Sequence, residues 1–125
     1  MKIRVYYEDT DLGGVVYHSN YLNFCERARS ELFFSKGQSP VLEEGHFVAK
    51  SLEADFIKSA LFADVLDVKT ELLSLKHASF TLQQTIYRDE EKLFSMKIKL
   101  AYLTHDGQVG RMSDETREML NTLLS

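Results

Sequence analysis

The stretch Tyr6 to Leu22, YYEDTDLGGVVYHSNYL, gathers the residues of this chain whose types and spacing could do chemistry. Glu8, Asp9 and Asp11 precede the Gly13-Gly14 pair, Tyr17-His18 follow, and a helical pattern begins directly after them. These are parts for acyl transfer. A carboxylate can activate water as a general base or attack a carbonyl as nucleophile. The N-terminus of a helix offers unpaired N–H groups and the positive end of its dipole. Such donors stabilise the oxyanion of a carbonyl that is becoming tetrahedral. Glycines let backbone and substrate approach closely. The same residues also suit a solvated loop that caps a helix, with His18 at the helix entry and Tyr17 and Tyr21 as packing aromatics. Cys25, the only cysteine, falls on the apolar stripe of that helix, where a thiol behaves as a small hydrophobe. No His or basic partner is placed near it by spacing, so it is not read as a nucleophile.

Positioning these groups requires a scaffold, and the pattern of apolar residues supplies one. Lys2 to Tyr7 alternates as a short strand with Ile3, Val5 and Tyr7 on one face. Asn20 to Lys36 carries Tyr21, Phe24, Cys25, Ala28 and Leu32 at helical spacing, with Arg27, Arg29 and Glu31 facing away. Ser19 or Asn20 would cap it, and Gly37 would stop it. Four strands follow. Phe47 to Lys58 alternates imperfectly, with Val48, Leu52, Ala54 and Phe56 on one face. Val65 to Leu75 changes phase at Leu73, which predicts a bulge or a second buried face. Phe80, Leu82 and Ile86 mark the next strand, and Phe94, Met96, Ile98, Leu100 and Tyr102 give the cleanest alternation. Ser113 to Leu124 reads as a C-terminal helix with Leu120, Leu123 and Leu124 as its apolar side. Consecutive strands joined by short turns argue for an antiparallel sheet and an α+β fold, curled around the one long helix.

The 125 residues suffice for a single domain, 1–125, with one sizeable core. A 44% hydrophobic and 27% charged composition is that of a globular chain rather than a disordered one. The net charge of -4 disfavours nucleic acid as a partner. A lone cysteine permits no internal disulfide, and no CxxC pair or His/Cys cluster points to a metal. The strand-like, charged N-terminus is not a signal peptide, and no apolar run approaches the ~20 residues of a membrane span. A soluble, cytoplasmic protein without membrane insertion is expected.

The segment Tyr7 to Arg29, YEDTDLGGVVYHSNYLNFCERAR, resembles the YbgC-type branch of the 4-hydroxybenzoyl-CoA thioesterase family. That family's pattern is D-x-D-x-x-G-x-V-Y-H-x-x-Y-L-x-F-x-E-x-x-R. A weaker match continues through Glu53-Ala54-Asp55-Phe56 and Asp64-Val65-Leu66. The resemblance implies a hot-dog fold, five antiparallel strands wrapped around a long helix, assembled as a homodimer or a tetramer built from two dimers. It implies hydrolysis of an acyl-CoA, here a short-chain one, to free acid and CoA, with no metal or cofactor. Carried over by position, Asp11 is the catalytic carboxylate, as general base or nucleophile. Tyr17 and His18 are the Tyr-His pair, with the helix N-terminus at His18 polarising the carbonyl. Gly14 lies beside the thioester, and Asp9 and Asn20 order the loop. Lys76, His77 and Ser79, in the turn before the fourth strand, correspond to the segment that grips the CoA phosphates, with Ala78 replacing one basic position. Glu26, a second carboxylate in the motif, is read as an ion-pair partner of Arg27, Arg29 or a strand residue. The branch is also associated with acyl carrier protein and the Tol-Pal envelope system, so the resemblance leaves room for a non-catalytic acyl-CoA- or acyl-carrier-binding role.

Overall fold

A computed structural model of the chain describes residues 1–124. In chain order it contains β1 (Lys2–Arg4), a short 3-10 turn (Tyr7–Asp9), α1 (His18–Phe34), β2 (Gly45–Phe56), β3 (Val65–Leu75), β4 (Ser79–Arg88), β5 (Glu91–Thr104) and α2 (Asp114–Leu124). The five strands form one antiparallel sheet in the order β1-β3-β4-β5-β2. The sheet curls around α1, which is the hot-dog arrangement implied by the resemblance. The core lies between them: Tyr21, Phe24, Cys25 and Ala28 of α1 meet Leu66, Val68, Leu82, Ile86, Phe94, Met96 and Ile98 of the sheet. Leu120 and Leu124 of α2 join it at one end. No helix among the described residues is long and apolar enough to cross a membrane.

Two irregularities of the alternation have physical causes. In β2 the register slips between Ala49 and Ser51, so the strand changes face there. Phe47 therefore points inward onto Phe33, Phe80 and Tyr102, while Ala54 and Phe56 point inward beyond the bulge. Val48, read from sequence as sharing that inner face, lines an outer hollow instead, whereas Leu52 keeps the phase of Ala54 and Phe56 and pairs with inward Ile98, although it remains exposed at the sheet edge. In β3 the slip falls between Leu72 and Ser74, and Leu73 bulges out to solvent. A single extra residue inverts every later side chain, which is why the alternation of both strands looked broken.

Element ends also differ. β1 stops at Arg4 because Val5 leaves the ladder to pair its N–H with the Asp64 carbonyl (2.8 Å), and Tyr7 is exposed rather than on the buried face. α1 starts at His18, not Asn20, and no side chain caps it. The Asn20 side chain is used elsewhere: its Nδ2 donates to the Asp9 carbonyl at 3.0 Å. The helix ends at Phe34, where Gly37 takes a left-handed φ of 70° and its N–H and that of Gln38 turn back onto Phe34 and Phe33 carbonyls. Ser113 caps α2, accepting the Thr116 N–H at 3.1 Å.

Candidate active site

The loop before α1 is a small structure held by several hydrogen bonds. Asp9 is buried, and its Oδ2 accepts the Tyr6 N–H (2.9 Å) while its carbonyl accepts the Tyr17 N–H (2.9 Å). Thr10 and Val16 pair as an isolated bridge. Between them the Asp11 N–H donates to the Val15 carbonyl at 2.9 Å, and the Gly14 N–H returns to the Asp11 carbonyl at 3.1 Å. Gly14 occupies the left-handed region at φ 78°, which an L side chain rarely adopts, so its glycine serves the turn. The Asp11 carboxylate is exposed, and Oδ1 accepts the Gly13 N–H at 2.8 Å.

This folding places Asp11 on the lining of a cavity of about 300 Å³ shared with His18, Tyr21, Val16, Phe56 and Ser59. Asp11 and His18 lie seven positions apart, yet the short hairpin brings them to one hollow at the start of α1. The first N–H groups of the helix receive no side-chain cap there. The opposite wall is the segment after β2. Its Ala60 N–H donates to the buried Tyr21 Oη at 2.9 Å, its Ala60 carbonyl accepts the Val16 N–H at 2.9 Å, and Leu61 bridges Val15. The alternation pattern extended β2 through Lys58 and so hid this wall. The strand ends at Phe56, and the Ile57 and Lys58 N–H groups both fold onto the Leu93 carbonyl. Three apolar residues, Ile57, Leu61 and Phe62, fall outside any strand period and are the signal that could have revealed it. Tyr21→Phe leaves a buried amide without its acceptor and is expected to cost about 1–3 kcal/mol. A lowered urea midpoint and faster hydrogen exchange of the Ala60 amide would report it.

The other sequence candidates fall in different places. The Tyr17 ring is half exposed and lies against the His18 ring (centroids 4.3 Å apart), outside the cavity lining. Cys25 is fully buried on α1, and burial pushes its thiol up to about 12, so it is protonated and inert at neutral pH. Glu26 is exposed and forms no direct ion pair among the described residues, so the expected contact with Arg27, Arg29 or a strand residue is not made, although its charge still acts on Arg29. Arg29 does not face away from the core as its spacing suggested: it is half buried and donates to Gln84. Among the described residues, no group of three or more His, Cys, Asp or Glu is placed to hold a metal ion.

Lys76, His77 and Ser79 form the β3–β4 turn, closed by the Lys76 N–H on the Ser79 carbonyl at 2.8 Å. Ser79 pairs with Ala101 of β5, whereas the Asp11 cavity lies by Phe56, which pairs with Phe94. Seven residues of strand, about 24 Å, separate the two levels. One copy of the chain therefore does not bring this turn to Asp11. Ser79 instead lines an outer hollow of about 370 Å³ with Lys50 and Lys99. Lys50 was not anticipated, because the β2 bulge that turns it there is invisible to a period-2 reading.

Comparison with known proteins agrees with this architecture. Residues 13–95 match the model of the thioesterase superfamily, beginning two residues after Asp11. The acyl-CoA thioesterase YbgC of Helicobacter pylori is 44% identical over 112 residues, covering 82% of this chain and 84% of that protein. The acyl-CoA thioester hydrolase YbgC of Escherichia coli O6:H1 is 39% identical over 97 residues, 74% and 72% of the two chains. A crystal structure of a probable thioesterase from Bartonella henselae superposes with a TM-score of 0.85 at 34% identity, covering 90% of this chain and 97% of that one. The chain thus belongs to the thioesterase superfamily and, within it, to the YbgC family.

Proposed function

We propose that this chain hydrolyses a short-chain acyl-CoA to free acid and CoA in the cytoplasm, with Asp11 as its reacting carboxylate and the start of α1 as its oxyanion site. The observation that carries this reading is the convergence of Asp11 and the uncapped helix N-terminus at His18 on one cavity. As general base, Asp11 takes a proton from water while the water oxygen bonds to the thioester carbon. The carbonyl electrons move to oxygen, where the α1 N–H groups receive the charge. The tetrahedral species collapses, the C–S bond breaks, and the CoA thiolate leaves and is protonated. As nucleophile, Asp11 would form a mixed anhydride with release of CoA, and water would then cleave it. Both routes need only water besides the substrate. Steady release of many equivalents of thiol per chain, followed across acyl-CoAs of different length, tests the reading. Binding without turnover would instead favour a non-catalytic acyl-carrier role.

Assembly completes the site in this reading. β2 is an edge strand of 12 residues whose middle is exposed, a long template for pairing with another chain. Antiparallel pairing of two β2 strands sets the Phe56 end of one copy beside the Gly45 end of the other. That brings the Asp11 cavity of one copy toward the Lys76–Ser79 turn, Lys50 and Lys99 of the second, where cations and a hydroxyl suit the CoA phosphates. A homodimer, or a tetramer of two such dimers, follows, and a monomer by light scattering would contradict it. Replacing Lys50 and Lys99 together by Glu is expected to raise KM for acyl-CoA roughly tenfold with kcat little changed, since phosphate contacts bind ground and transition states alike. Steady-state kinetics at two salt concentrations would check this.

A further inference from the structure

A hollow of about 360 Å³ lies between the 38–44 segment and the start of α2, and the chemistry above does not use it. Since α2 packs beside β3, across β4 and β5 from β2, this hollow lies off the edge by which two copies would pair. Glu43, Glu44 and Glu115 line it with Leu42, Met119 and Tyr102, and among the described residues no Lys, Arg or His does. The three glutamates are exposed and form no ion pair among the described residues. His105 is bonded to the Glu43 carbonyl (2.6 Å), not to its carboxylate. Exposed acids are ordinarily only hydrated, and Tyr102 is what distinguishes this group. It is 3% exposed, with its ring tilted on Phe47 (centroids 5.7 Å apart), yet it lines the hollow. Its Oη has no hydrogen-bond partner among the described residues. No fully buried side-chain oxygen or nitrogen among them lacks a partner, so Oη opens onto the hollow. Gly45 keeps that opening clear, because a Cβ there would stand 2.8 Å from Oη. Burial, then the Glu44 charge, push the phenol upward, so it stays a neutral hydroxyl at neutral pH.

We propose that this hollow binds a linear aliphatic polyamine, one ammonium between Tyr102 Oη and the Glu43 and Glu44 carboxylates, another by Glu115, and the methylenes over Leu42 and Met119. The sign of the charge comes first: three carboxylates outweigh the positive end of α2, roughly half a charge. Spacing comes second. Among the described residues no three acidic groups are close enough to share one metal ion, so several spread cations fit where a single ion does not. Donor chemistry is third: an ammonium has only donors, and a phenol oxygen and carboxylates all accept. The hollow also continues into a neighbouring one of about 370 Å³ that shares Gln38, Glu115 and Met119 and adds Glu118, with Lys36 bordering only that second part. An extended molecule suits such a trough.

The test is calorimetric titration of the full chain with spermidine, with magnesium chloride at matched ionic strength as the comparison. Spermidine is expected to bind saturably and tighter than magnesium. Tyr102→Phe keeps the ring in the core and removes only Oη, and should weaken spermidine roughly fivefold. Glu43→Gln with Glu44→Gln should weaken it roughly tenfold or more. Glu71→Gln with Glu90→Gln removes the same charge from exposed positions elsewhere and should leave the affinity within about twofold. Glu43 and Glu44 are exposed, so their variant leaves the core intact and decides the matter even if Tyr102→Phe does not fold. Absence of saturable spermidine binding, magnesium binding as tightly, affinity unmoved in a folded Tyr102→Phe, or equal losses from the two glutamate pairs would overturn the proposal. No turnover is measured, so failure here would leave the Asp11 reading untouched.

Discussion

Asp11→Asn is expected to lower kcat/KM for acyl-CoA hydrolysis by ~10²–10⁴, the usual contribution of one positioned acid–base group. The substitution is nearly isosteric. Among the described residues the only side-chain hydrogen bond of Asp11 is accepted by Oδ1 from the Gly13 N–H, and an amide oxygen can accept it equally well. The backbone bonds that shape the hairpin, Asp11 to Val15 and Gly14 to Asp11, do not involve the side chain. Loss of turnover should therefore come with an unchanged urea midpoint and unchanged substrate affinity. A variant that hydrolyses acyl-CoA at the original rate would remove Asp11 from the chemistry.

The second large effect concerns stability. Gln84 is fully buried on β4, in the inward phase otherwise occupied by Phe80, Leu82 and Ile86. Its Nε2 donates to the Cys25 carbonyl at 2.9 Å and to the Thr70 Oγ1 at 3.0 Å, and its Oε1 accepts from Arg29. One amide thus ties α1 to β3 and β4 through the middle of the core. Gln84→Leu keeps the volume and strips Arg29 of its acceptor in a half-buried place. The expected loss is about 2–4 kcal/mol, because a buried network that loses its centre leaves partners unsatisfied. Gln83→Leu is the comparison: Gln83 lies on the other face, partly exposed, with a single bond to Ser95 Oγ, and should change stability by about 1 kcal/mol or less. Chemical denaturation of the two variants side by side would check both values, and equal midpoints would refute the central role of Gln84.

Gln84 also shows where reading the chain in one dimension stops. The sheet and both helices follow from periodicity, because Phe94, Met96, Ile98, Leu100 and Tyr102 announce an inner face and Tyr21, Phe24, Cys25 and Ala28 a helical stripe. A buried glutamine at an apolar position carries no such announcement: its burial depends on partners from α1 and β3 that are remote in sequence. The same holds for Arg29, whose charge suggested solvent and whose position is set by Gln84. At the candidate site, Asp11 and His18 are visible as motif residues, but Gly13-Gly14 reads only as a loop that permits close approach, and the hairpin that joins the two residues comes from the Thr10–Val16 bridge and the Asp11–Val15 bond. The opposite wall, from Ile57 to Ser59, is not visible, since its place is fixed by Tyr21 reaching across from α1 to the N–H of the following residue, Ala60. Lys76, His77 and Ser79 stand apart from Asp11 in one copy, a separation only three-dimensional register reveals.

A crystal structure of the Asp11→Asn variant with an intact acyl-CoA bound would decide most directly whether this cavity is where a thioester is cleaved. The account predicts the thioester carbonyl oxygen facing the first N–H groups of α1, at about 2.7–3.1 Å, with the residue-11 amide on the opposite side of the carbonyl carbon. A thioester seated elsewhere, with residue 11 and the start of α1 both out of its reach, would contradict it.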